Sequence, residues 1–152
     1  MLERLPMADF CEQFEKLLAV IDRGSPAGKR DYAILSLVSI LGIRATDVFA
    51  LKIENFDLLG SRLEFIQRKS SRPVSLPLQD DVGQAVDDYL ENGRPDCKTS
   101  FVFVSHSNDS LGIPLRPSYA YILLEKYMRI SEVRLTARRL YGLHLLRHKG
   151  VN

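Results

Sequence analysis

Residues 28–57, GKRDYAILSLVSILGIRATDVFALKIENFD, decide the architecture of this chain. From Asp31 to Leu41 the segment is apolar nearly all round, the pattern of a helix buried in the middle of a domain rather than one lying on its surface. Gly42 can stop that helix, and Thr46 is a residue type able to cap the N-terminus of another running through Val48, Phe49 and Leu51. Arg44 is thereby expected in a tight junction between two helices, an unusual place for a permanently charged side chain.

The flanking sequence builds a domain around this buried helix. Upstream, Phe10, Phe14, Leu17, Leu18 and Ile21 recur at helical spacing and predict an amphipathic helix over about residues 7–23, ended by Gly24, Ser25, Pro26 and Gly28. Downstream the period changes to two. Leu63 and Phe65 alternate with Arg62 and Glu64, and Val74 and Leu76 with Pro73 and Ser75, which predicts two strands turning near Ser70–Arg72. Val82, Val86, Tyr89 and Leu90 mark an acidic amphipathic helix closed by Asn92-Gly93. FVFVS (101–105) is a short apolar stretch, NDSLGIPLRP (108–117) a loop, and Pro117 suits the first position of a helix reaching about Met128. The expected fold is α+β: one mainly helical domain with a small antiparallel sheet.

Charge is unevenly spread. The net charge is +2 over 152 residues, yet residues 115–152 hold eight bases against two acids, whereas residues 79–96 hold six acids and one base. A local basic excess on a balanced protein is the footprint of a polyanion partner. Cys11 and Cys97 have no metal-ligand spacing and fit a reducing compartment. The apolar run Ala33–Ile43 is too short to span a bilayer, and Met1–Phe10 does not have the form of a secretory leader. A cytoplasmic protein is the expectation.

Three motifs occur in a telling order: the opening stretch, then FIQRKSSRPVSLPL (65–78), then LHLLRH (143–148). Together they resemble the catalytic domain of tyrosine recombinases, the phage integrase family, over almost the whole chain from about Leu5. The resemblance implies a catalytic set of Arg44, Lys69, His144 and Arg147. Asp47 would support it by holding Arg44, and His148 would stand beside it. Arg68, Arg72, Arg116, Arg138, Arg139 and Lys149 are the expected DNA contacts. The residue types suit the chemistry. Attack on a phosphodiester builds charge on non-bridging oxygens, which planar guanidiniums bind with paired hydrogen bonds, while lysine and histidine can move protons. No metal or other cofactor is required.

The resemblance further implies double-stranded DNA as partner, a homo-oligomer on DNA, no membrane association, and work in the cytoplasm or nucleoid. It also implies a tyrosine nucleophile beyond the second arginine. Here Tyr32, Tyr89, Tyr119, Tyr121, Tyr127 and Tyr141 all precede Arg147. The expectation is thus a catalytic domain over residues 1–152, without the nucleophile segment and without the N-terminal DNA-clasping domain. The parent would break and rejoin DNA through a 3′-phosphotyrosine. Two alternatives stand beside this: a nonenzymatic DNA-binding or regulatory relative, and a tyrosine supplied by a neighbouring subunit.

Overall fold

Ser25 starts a helix where the sequence reading sees only a break. Its hydroxyl accepts the Gly28 N–H at 2.9 Å, and Pro26 fills the first helical position, where a missing N–H costs nothing. In the computed structural model, which describes residues 7–133, the first helix, α1, is Met7–Ala19 and the second, α2, is Pro26–Ser39. α2 thus begins five residues before the apolar run. Between the helices Asp22 ties the turn, its carboxylate accepting the Gly24 N–H and its carbonyl the Ser25 N–H. Gly28 is required there, because a Cβ would overlap the Asp22 carbonyl oxygen.

The short helix α3, Ala45–Val48, follows a left-handed Gly42 with φ of 69°. Its N-cap is Arg44 rather than the expected Thr46. Arg44 has extended backbone, and its carbonyl accepts the N–H groups of Asp47 and Val48, while Thr46 lies exposed inside the helix. A three-stranded antiparallel sheet comes next: β1 Phe56–Asp57, β2 Arg62–Ile66 and β3 Pro73–Pro77, in the order β1-β2-β3. Leu63 pairs with Leu76 and Phe65 with Val74, which sets the apolar faces of both strands toward the core. Helix α4, Asp80–Asn92, buries Val82, Ala85, Val86 and Tyr89 and packs on α2. Residues 101–105 form only isolated bridges, Lys52 with Phe101 and Val104 with Pro114. Helix α5, Tyr119–Ser131, packs on α1.

The core surrounds α2, as its composition requires, but it also holds charge. Asp31 is 0% exposed and Arg30 4%. Arg30 Nε donates to Asp31 Oδ1 at 2.9 Å, Nη1 to the Val104 carbonyl at 3.1 Å, and Nη2 to the Tyr119 hydroxyl at 3.0 Å. Tyr127 completes the arrangement by donating its hydroxyl to Asp31 Oδ2 at 2.6 Å. Burial, with that hydrogen bond, pushes the Tyr127 phenol well above its ordinary value. A buried ion pair gains little over an apolar replacement, but removing one partner strands the other's charge. Asp31→Asn should therefore destabilise the fold by about 3–5 kcal/mol. Tyr127→Phe should cost about 1.5–3 kcal/mol, the range for a hydrogen bond to a charged group. Urea unfolding followed by circular dichroism measures both.

Behind this network the Tyr89 hydroxyl lies 3.0 Å from His106 Nε2. Burial, aided by the Arg30 charge, holds the His106 imidazole below its ordinary value of 6.5. The folded state thus disfavours the proton, and the unfolded chain binds it first as pH falls. Stability carried by neutral His106 is complete above about pH 6.5 and is lost as pH drops through the folded value. Unfolding free energies between pH 7.5 and 5 should show this decline, and His106→Gln should flatten it.

Candidate functional site

Arg44 is half-buried at the junction between α2 and α3, where its backbone caps the shorter helix. Among the described residues no carboxylate lies within 4.0 Å of its guanidinium. The expectation that Asp47 holds Arg44 is therefore corrected. Asp47, 3% exposed, turns its Oδ1 to the backbone N–H of Arg68 at 2.9 Å. The physical reason is local. A buried carboxylate needs a donor, and the returning hairpin presents an amide there. One carboxylate thus joins the chain three residues after Arg44 to the residue just before Lys69.

The hairpin tip is itself ordered by hydrogen bonds. Gln67 N–H donates to the Arg72 carbonyl at 2.8 Å, and Ser71 N–H to the Gln67 carbonyl at 2.9 Å. The Ser70 hydroxyl donates to Gln67 Oε1 at 2.6 Å, and Ser71 takes a left-handed φ of 58°. Around this frame Arg68, Lys69 and Arg72 are all exposed, and no described carboxylate lies within ion-pair reach of any of them. Three exposed cations on a fixed turn, tethered to an arginine-bearing helix junction, make a surface that attracts an anion and can hold it by charge-assisted hydrogen bonds.

Other expected residues stand apart. Arg116 is exposed just ahead of α5, in a cavity bordered by the first turn of α2, and so lies away from the α2–α3 junction. His144, Arg147, His148, Arg138, Arg139 and Lys149 lie outside the described residues. The sequence reading had no signal for the Asp47–Arg68 bond, because a backbone amide carries no side-chain signature. Nor did it single out Lys126, which shares the cavity with Arg116.

This helical domain with its short antiparallel sheet has the fold of a recombinase catalytic domain. It superposes on the crystal structure of XerA recombinase with a TM-score of 0.71, covering 92% of this chain and 48% of that one at 20% identity. The phage integrase family is matched over residues 11–149, and the chain belongs to that family. Tyrosine recombinase XerD of Listeria innocua is 30% identical over 116 residues, covering 72% of this chain and 38% of the relative. Tyrosine recombinase XerC of Bacillus pumilus is 27% identical over 153 residues, covering 96% and 47%. The chain spans between 25% and 62% of the length of three curated relatives it matches.

The tether can be isolated from the charges. Asp47→Ala should expose the Arg68 amide and raise its hydrogen-exchange rate by about 10-fold or more, the loss of a buried hydrogen bond being worth about 1–3 kcal/mol. Asp47→Asn keeps an acceptor oxygen and should leave the Arg68 exchange close to wild type. Amide exchange followed by NMR reads both.

Proposed function

We propose that this chain supplies the phosphate-holding part of a tyrosine recombinase active site, acting in site-specific breakage and rejoining of double-stranded DNA. The observation that carries the reading is the Asp47–Arg68 bond, which ties the Arg44 junction to the Lys69 hairpin in a member of this family. In this reading Arg44 and Arg147 grip the non-bridging oxygens of the scissile phosphate. A tyrosine oxygen attacks phosphorus, the bond to the 5′ oxygen breaks, and Lys69 gives that oxygen a proton as it leaves. His144 assists proton transfer, with His148 beside it, and the 3′-phosphotyrosine is later resolved when a 5′ hydroxyl returns. Arg68 and Arg72 seat the neighbouring backbone, as do Arg116, Arg138, Arg139 and Lys149. No metal or other cofactor takes part.

None of the six tyrosines follows Arg147, so the nucleophile is assigned to a tyrosine outside these 152 residues, on the same polypeptide or on a neighbouring subunit. The protein then works as a homo-oligomer on DNA, in the cytoplasm or nucleoid. Among the described residues no helix is long and apolar enough to cross a membrane. A second reading is a nonenzymatic DNA-binding or regulatory relative of the integrases.

A nicked duplex that traps the covalent intermediate separates the two. Incubated with the complete reading frame containing this chain, it should give a protein–DNA adduct on a denaturing gel. Arg44→Lys keeps the charge but loses the fork of donors, and should slow adduct formation by about 100- to 1000-fold. Salt-sensitive DNA binding with no adduct from the complete protein would favour the nonenzymatic reading. An unaffected Arg44→Lys rate would remove Arg44 from the clamp.

A further inference from the structure

A second basic site lies at the other end of α2 from Arg44. A solvent-open cavity of about 610 Å³ lies between the first turns of α2, the 105–118 loop and the N-terminal half of α5. Among the described residues no carboxylate lines it. Its ionisable wall is Arg30, His106, Arg116 and Lys126, with Tyr119 and several serine hydroxyls between them. These groups differ in what they have left to offer. Arg30 is buried and its donors are committed to Asp31, Val104 and Tyr119, so it fixes the wall rather than reaching outward. Burial, with the Arg30 charge, holds the His106 imidazole below its ordinary value. Arg116 and Lys126 are exposed, and no described carboxylate lies within ion-pair distance of either.

The end of α5 does not explain the cavity. The Tyr119, Ala120 and Tyr121 N–H groups donate to the carbonyls of Arg116, Pro117 and Ser118. What remains is two exposed cations with no described carboxylate in ion-pair reach, on a wall that also carries serine and tyrosine hydroxyls, with Ile113 and Ile122 exposed. A phosphate diester would meet both exposed cations with charge-assisted hydrogen bonds while leaving the apolar side chains to a sugar or base.

We infer that this cavity is a second phosphate seat, in which Arg116 and Lys126 grip the DNA backbone several nucleotides from the phosphate held at Arg44 and Lys69. The inference rests on the DNA reading above. α2 has 14 residues and is therefore about 21 Å long at 1.5 Å per residue. Its two ends are separated on the order of six base pairs of duplex, taking 3.4 Å per step. The seat positions and strengthens binding. It takes no part in bond breakage.

The test is the salt dependence of binding to a 20-base-pair duplex, compared among the wild-type chain, Arg116→Gln with Lys126→Gln, and Lys16→Gln as a charge control on α1. Each phosphate contact contributes about 0.9 to the slope of log K against log salt. The double variant should lower the slope by about 1.8 and Lys16→Gln should not change it. His106 ring signals in NMR should shift on adding duplex to wild type but not to the double variant, and should not saturate with inorganic pyrophosphate at matched ionic strength. Equal slopes for wild type and double variant would overturn the seat while leaving the DNA reading intact. No duplex binding by wild type would overturn both. Saturation by pyrophosphate without a response to duplex would overturn the backbone as its ligand.

Discussion

A carboxylate with no exposure to water governs this domain. Inside the core Asp31 is met by Arg30, which supplies the opposite charge, and by Tyr127, which supplies a second donor. Desolvating a lone carboxylate would cost more than the fold can spare. Arg30 and Asp31 are neighbours on α2 while Tyr127 comes from α5, so satisfying one charge fixes α5 against α2 and, through the Val104 carbonyl, the 101–105 segment as well. Apolar packing alone tolerates sliding of one helix past another. A directional hydrogen bond to a buried charge does not, and the register of α5 on α2 follows from it.

How far the sequence foretells this depends on which physical force writes the pattern. Burial of side chains writes a periodic one. The apolar run of α2, the alternation of Leu63 and Phe65, and the stripe of Val82, Val86 and Tyr89 are therefore legible, although α2 starts earlier than its apolar run. Helix starts are decided by single hydrogen bonds. Ser25 and Pro26 read equally well as a loop or as a cap, and only the Gly28 N–H meeting the serine hydroxyl resolves them. Likewise Thr46 has the right side chain for a cap but sits two residues past the cap position, which Arg44 takes with its backbone. The FVFVS run was recognisable as apolar, yet nothing in it announced that its partners would be isolated bridges rather than a strand.

For the site, the sequence offers candidate side chains but not their partners. Arg44, Asp47 and Lys69 were identified from motif order, and the structure sets Asp47 between the segments bearing the other two. Its partner is a backbone amide, however, so the carboxylate shapes the hairpin instead of neutralising the arginine. That difference matters electrostatically. An arginine paired with a carboxylate offers a diminished field to an incoming anion, and among the described residues no carboxylate lies within ion-pair distance of Arg44. Positioning and charge are thereby carried by separate groups.

The outer edge of the hairpin has a further consequence. β3 is an edge strand, and the Leu78 N–H reaches inward to the Ser61 carbonyl, so by alternation the nitrogens of residues 73, 75 and 77 face outward. Pro73 and Pro77 occupy two of those three places and carry no hydrogen, leaving Ser75 as the sole outward donor of the strand. A sheet with so few free donors is a poor template for another strand. Molecules of this chain crowded along one polymer would meet at high local concentration, the condition under which exposed edges zip together into aggregates. Two imino acids at the ends of a five-residue strand guard this edge against such pairing.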